Sequence, residues 1–169
     1  AQGDSFRVSR MPSPYYEKGV TLAAMGRYFV TSGGTKNYKQ VGSLTSVSFK
    51  VRSPYASFRV SGGALDDTRV ELALAENDSV FFQISGPGRF TLRPVVVDLR
   101  KLLNKMIYIR LVDNETGIST IPYIKDTESA HLSFDDFRFH TKRPVFPNEL
   151  KPSDIFTLPP LDYVPHAGL

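Results

Sequence analysis

Ser46-Val47-Ser48-Phe49-Lys50-Val51 alternates polar and apolar residues with a period of two, and Ala56-Ser57-Phe58-Arg59-Val60 repeats that pattern shortly afterwards. A period of two belongs to the β-strand, whose side chains point to opposite faces in turn. Working outward, Arg69-Val70-Glu71-Leu72-Ala73-Leu74, Val80-Phe81-Phe82-Gln83-Ile84 and Phe90-Thr91-Leu92-Arg93 follow. Met106-Ile107-Tyr108-Ile109-Arg110-Leu111-Val112 and His131-Leu132-Ser133-Phe134-Asp135-Asp136-Phe137-Arg138-Phe139 complete the set. All are rich in β-branched and aromatic residues, of strand length, and bounded by Gly, Asn, Asp or Pro. Strands at a spacing of roughly ten residues, without intervening helices, predict a sandwich or barrel. Helix signal is confined to Thr21 to Met25 and Leu99 to Asn104, a turn or so each. The expected fold is all-β: a two-sheet antiparallel β-sandwich, jelly-roll-like, with a Pro-rich C-terminal extension.

The chain divides into a body, residues 1–140, and a tail, residues 141–169. The tail holds six of the twelve prolines, at Pro144, Pro147, Pro152, Pro159, Pro160 and Pro165. Proline cannot donate to a ladder and pushes its predecessor toward extended geometry, so this stretch reads as a semi-rigid connector or a strap. Phe146, Ile155, Phe156, Leu158, Leu161 and Tyr163 favour a strap that docks, since a solvated linker would carry fewer large apolar groups.

A chain of 169 residues with 41% hydrophobic and 22% charged residues is long enough for one domain with a sizeable core. Its net charge of +4 is spread along the chain, without the basic stripe and reading motif of a nucleic-acid binder. With no cysteine there are no disulfides, thiolate metal sites or cysteine nucleophiles. No apolar run is long enough to span a bilayer. Ala1-Gln2-Gly3 would suit a mature end left by a signal peptidase, and equally a cut made elsewhere.

Catalytic motifs are missing. His131, His140 and His166 show no ligand-pair spacing such as HExxH, and there is no GxSxG, P-loop or Rossmann fingerprint. Gly33-Gly34 and Gly62-Gly63 read as turns or bulges. Asp66-Asp67 and Asp113-Asn114-Glu115 read as turn residues in solvated loops. Asp135-Asp136 is different, because alternation inside an apolar strand would send its two carboxylates to opposite faces. The inward one then needs an Arg partner, backbone N–H groups or a calcium ion, and internal hydrogen bonding is the preferred of these. Asp135 and Asp136 are therefore the candidate metal ligands. A glycosidase would need two carboxylates across one cleft, and no motif marks such a pair. Arg69 and Glu71 share one strand face, two residues apart. A guanidinium beside a carboxylate there could hydrogen-bond vicinal hydroxyls, or could be a surface ion pair. The chain has eight Tyr and twelve Phe but no Trp. Tyr15, Tyr16, Tyr28, Tyr38, Tyr55 and Tyr123, in or near expected loops, are the aromatic groups available for stacking on a sugar ring.

Val41-Gly42-Ser43-Leu44-Thr45-Ser46-Val47-Ser48-Phe49, then Phe58-Arg59-Val60-Ser61-Gly62-Gly63, then Arg110-Leu111-Val112-Asp113-Asn114-Glu115-Thr116-Gly117 and His131-Leu132-Ser133-Phe134-Asp135-Asp136 resemble one family. It is the fructan-binding (family-66-like) β-sandwich modules attached to levanases and related family-32 glycoside hydrolases. The resemblance runs from Phe6 to Phe139. It departs at Ser129-Ala130, where the family has Trp-Gly, and at the longer connection from Ile118 to Glu128. It implies a ligand pocket among Arg69, Glu71, Asp113 and His131, a glycan ligand, and no chemistry of the chain's own. Leu158-Pro159-Pro160-Leu161-Asp162-Tyr163-Val164-Pro165-His166 resembles the connector preceding haem-binding and dehydrogenase-like propeller regions of large exported bacterial proteins. That implies a secreted or periplasmic location and a downstream catalytic or haem-binding domain in the same precursor. The expected function is that of a non-catalytic carbohydrate-binding module with no cofactor, calcium apart. The alternative is a structural or protein-interaction sandwich without a sugar pocket.

Overall fold

A computed structural model describes residues 2–3, 5–10, 23–33, 41–115 and 131–152. Its strands are β1 (Gln2–Gly3), β2 (Arg7–Arg10), β3 (Tyr28–Thr31), β4 (Gly42–Thr45) and β5 (Phe49–Lys50). They continue with β6 (Tyr55–Gly62), β7 (Thr68–Leu74), β8 (Val80–Ile84), β9 (Arg89–Asp98), β10 (Met106–Asp113) and β11 (Leu132–His140). A 3-10 turn at Arg100–Leu102 falls within the segment where the sequence predicted one. The strands form two antiparallel sheets. One runs β1-β4-β10-β7-β8, with β5 also pairing β10, and the other runs β2-β3-β11-β6-β9. The all-β, two-sheet sandwich expected from the alternation is the fold observed.

Alternation decides which side chains fill the space between the sheets. Val70 and Leu72 of β7 and Ile107, Ile109 and Leu111 of β10 face Ala56, Phe58 and Val60 of β6 and Val95 and Val97 of β9 in one buried cluster. Phe49 meets Phe137 and Phe139 edge-on, with ring centroids 5.5 and 6.0 Å apart. Burial of such side chains, each worth about 1.5–3 kcal/mol, is what holds the two sheets together.

Two local expectations are corrected. Of Ser46–Val51, only Phe49 and Lys50 are in a strand, and Val47 is 85% exposed. Ser46 replaces the ladder there: its N–H donates to the Ile109 carbonyl at 2.9 Å, and its Oγ accepts from the Ile109 N–H at 3.0 Å. A serine that bonds the backbone competes with regular pairing, and the chain bows outward at Val47. The second correction concerns Asp135 and Asp136, whose carboxylates do not split between the core and the solvent. Pairing of β11 with β6 shifts between Asp135 and Arg138, and Asp136 takes φ of 56°. This bulge inserts one residue, so Phe134 and Phe137, three apart, both pack on the core. Asp135 lies opposite Arg59 and accepts the Met25 N–H at 2.7 Å, while Asp136 pairs with Arg138 at 2.6 Å.

The start of the tail lies against the sandwich. Leu150 is buried in the main core, and its N–H donates to the Pro94 carbonyl at 2.8 Å. Arg93 reaches the Asn148 and Glu149 carbonyls at 3.1 and 3.0 Å. β9 is an edge strand, where a proline such as Pro94 is tolerated, and residues 148–150 cover that edge.

Candidate functional site

The cross-strand register sets out the site. In β7 and β10, Val70, Leu72, Ile109 and Leu111 point into the core, so Arg69, Glu71, Tyr108 and Arg110 point away from it. Pairing Arg110 with Thr45 and Glu71, and Glu71 with Gln83, draws a row Thr45-Arg110-Glu71-Gln83 across four strands of the larger sheet. Ser43-Val112-Arg69 lies on one side of that row, and Tyr108-Ala73-Val80 on the other.

Glu71 is 3% exposed on this outer face. A buried carboxylate must be paired, and this one is paired twice. Arg69 Nε donates to its Oε1 at 2.6 Å, and Arg110 Nε and Nη2 both reach Oε2 at 2.6 Å. Both arginines remain partly exposed, so the carboxylate orients two guanidiniums whose outer edges meet solvent. Arg69 is fixed further by donating to the Asp66 carbonyl at 2.9 Å. The Arg110 guanidinium sits 5.8 Å from the Tyr108 ring centroid, and the Tyr108 hydroxyl bonds Asp78 at 3.2 Å. Hydrogen bonding to Glu71 raises the pKa of Arg110, and burial raises that of Tyr108, so both stay protonated. The face thus offers fixed N–H donors, an amide at Gln83, a hydroxyl at Thr45 and a carboxylate at Asp78. Next to them are the apolar Val80 and Met106, 39% and 45% exposed.

The four residues expected to share a pocket fall into two places. Arg69 and Glu71 are on this outer face. Asp113, at the end of β10, is 2% exposed, and His131, at the start of β11, is fully buried. Asp113 is thus a strand residue, not the solvated turn residue the sequence predicted. Burial pushes its carboxyl up to about 6, although bonds from the Ser32 side chain and the Glu115 N–H oppose the rise. Ser32 follows β3 in the smaller sheet, and its hydroxyl accepts the Leu132 N–H at 2.8 Å. His131 stacks on Phe90, with ring centroids 4.8 Å apart, and closes against Gly33, where a Cβ would come within 2.9 Å of its own.

β6 ends at Gly62, where its pairing with β9 is irregular: Val60 lies opposite Arg93 and Gly62 opposite Arg89, so the extra residues are in β9. Gly62 has φ of 112°, and a Cβ there would stand 2.0 Å from the His131 carbonyl oxygen. Among the described residues no group of three or more His, Asp or Glu side chains converges as a metal site would require. Asp135 and Asp136 each have a protein partner, as described above, and burial raises the pKa of Asp135. Of the tyrosines considered for stacking, Tyr28 is 56% exposed and Tyr55 lies beneath Arg100; Tyr15, Tyr16, Tyr38 and Tyr123 lie outside the described residues.

Sequence reasoning missed Arg110, Tyr108 and Gln83 as members of the site. Alternation in β10 does place Tyr108 and Arg110 on one face. What it lacks is the register that brings Arg110 to Glu71, 39 positions away.

No family model and no curated protein matches the chain. Among solved structures, it is similar to the K1 cleaved adhesin domain of Lys-gingipain from Porphyromonas gingivalis W83. Identity is 14% over 80% of this chain and 90% of that one, with a TM-score of 0.38. It is similar also to the C-terminal CBM6 of LamC, a marine laminarinase from Zobellia galactanivorans, at 14% identity over 78% and 99% of the two chains and a TM-score of 0.34. The K3 cleaved adhesin domain of Lys-gingipain matches at 12% identity over 80% and 91%, with a TM-score of 0.37. No helix among the described residues is long and apolar enough to cross a membrane.

Proposed function

We propose that the chain is a non-catalytic carbohydrate-binding module of a larger exported protein, and that the outer face of the six-stranded sheet is its binding surface. The observation that carries this reading is the buried Glu71 held between Arg69 and Arg110. A carboxylate shielded by two guanidiniums is poorly placed as a general acid or nucleophile, because both its oxygens are occupied. It is well placed to fix donors. Guanidinium N–H groups at set positions match vicinal hydroxyls, and pre-setting them reduces the ordering cost of binding. Gln83, Thr45 and Asp78 supply further donors and acceptors, and Tyr108, Val80 and Met106 an apolar margin for the C–H faces of a sugar ring. The reading makes Arg69 and Glu71 part of the site and leaves Asp113 and His131 as buried scaffold. It places the module outside the cytoplasm, tethered through the Pro-rich tail to a downstream domain, and requires no metal or cofactor.

The experiment is calorimetric titration of the chain with neutral oligosaccharides, fructans first, followed by a broad glycan array. Arg110→Ala is expected to weaken binding about tenfold by removing charge-assisted donors. Failure to bind any glycan, with a folded spectrum, would overturn the proposal in favour of a protein-interaction sandwich.

A further inference from the structure

Away from the Glu71 face, the two sheets part at an end of the sandwich and leave an open groove of about 700 Å³. It is lined by Phe81, Asp98, Arg100, Lys101 and Leu102. β8 and β9 are edge strands of the two sheets, and the groove runs between the start of one and the end of the other. Phe81 reaches it because the β7–β8 pairing slips between Leu72 and Ala73, leaving Phe81 without an opposite residue. Phe81 and Leu102 both pack against the main core, so the apolar floor is anchored.

The rim is charged and partly rigid. Arg100 Nε lies 3.0 Å from both Asp98 oxygens, and its Nη2 lies 2.6 Å from Oδ2. Asp98 also accepts the Arg100 N–H at 3.0 Å, and the guanidinium is 5.6 Å from the Tyr55 ring centroid. One edge of the guanidinium is thereby used and its place is fixed. Lys101 makes no ion pair among the described residues, so two cations face one carboxylate and one positive charge is left over.

We propose that this groove is a second binding site, for a carboxylate-bearing sugar ring such as the uronic acid unit of an acidic polysaccharide. The floor of Phe81 and Leu102 takes the apolar face of the ring, and Lys101, with the open edge of Arg100, takes the carboxylate. The groove's volume falls within the range of ligand sites, about 300–1,000 Å³. An acidic peptide would satisfy the cations but has no flat C–H face to cover the floor. The site shares no residue with the Glu71 face and does not depend on it.

The test is a titration of the ¹⁵N-labelled chain with trigalacturonic acid, a neutral galactose trisaccharide and a short Asp/Glu peptide, repeated on Lys101→Glu. Trigalacturonate is expected to shift the amides of Phe81 and residues 100–102, more weakly at high salt, and Lys101→Glu to lose about fivefold in affinity or more. Lys101 is exposed, so an unchanged starting spectrum will show that the variant folds. Equal binding of the neutral trisaccharide, tighter binding of the peptide, or no shift at Phe81 and residues 100–102 overturns the proposal. Binding at the sheet face is read separately, from the amides of Arg69, Gln83 and Arg110, so that failure of either site shows on its own.

Discussion

Replacing Asp113 by Asn should make the protein more stable at neutral pH, and the gain should vanish in acid. Asp113 is 2% exposed and accepts the Glu115 N–H at 3.2 Å. Burial pushes its carboxyl from 3.8 to about 6. A raised carboxyl pKa means that the folded state holds its proton more tightly than the unfolded chain does. Below about pH 4 both states are protonated and the group is neutral in the balance. Between about pH 4 and 6 the unfolded chain ionises first, so it binds fewer protons and stability falls as pH rises. Above about pH 6 both states are ionised and the whole cost is present. The interval of roughly two pKa units corresponds to about 3 kcal/mol at 1.36 kcal/mol per unit. Asn keeps the shape and an oxygen to accept the Glu115 N–H. The assay is urea unfolding of wild type and D113N across pH 3.5 to 8. The difference between the two curves is the readout, because it cancels the other carboxylates, Asp98 with its lowered pKa and Asp135 with its raised one among them. The variant should gain up to about 3 kcal/mol above pH 7 and show little difference near pH 4. A difference that does not vary with pH, or a variant less stable than wild type at pH 7.5, would refute the reasoning.

Gly62→Ala should destabilise the fold by about 3 kcal/mol or more, since its Cβ would meet the His131 carbonyl at 2.0 Å with φ at 112°; thermal unfolding reads this, and a loss under about 1 kcal/mol would contradict it. Leu150→Ala should cost about 2–5 kcal/mol in urea unfolding if the start of the tail is part of the core, whereas Val145→Ala, 85% exposed, should change little. Glu71→Gln should weaken glycan binding and also lower stability by about 1–3 kcal/mol, because it removes the charge that orients Arg69 and Arg110; retained affinity would show that the arginines are positioned by something else.

The alternation in residues 56–60, 69–74 and 106–112 was enough to specify β6, β7 and β10, because the period of two is a local property of the chain and the core faces follow directly from it. Proline misled once, because Pro94 lies inside the edge strand β9, which runs on to Asp98 past the Arg93 where the sequence pattern ended it. Where the sequence misled, a non-local contact had overridden the local pattern. Ser46 bonds the Ile109 backbone, 63 residues away, and draws the chain out of its strand at Val47. At Asp136 a positive φ resets the face of every later residue in β11, which no count of alternating positions can show. β2 and β3 are short strands with little internal pattern, and they take shape by pairing with each other and, through β3, with β11.

The candidate site divides in the same way. By itself the sequence determined that Arg69 and Glu71 share a face, since two positions in one strand settle that. Only the tertiary structure decided that Arg110 joins them, that Gln83 and Thr45 extend the row, and that Asp113 and His131 lie buried elsewhere. The physical reason is that strand register is set by the packing of two complementary apolar faces, not by the residues that end up opposite one another on the outside. The groove at Phe81 and Lys101 follows the same rule, because it exists where the edges of two sheets part, and an edge belongs to the assembled sheet.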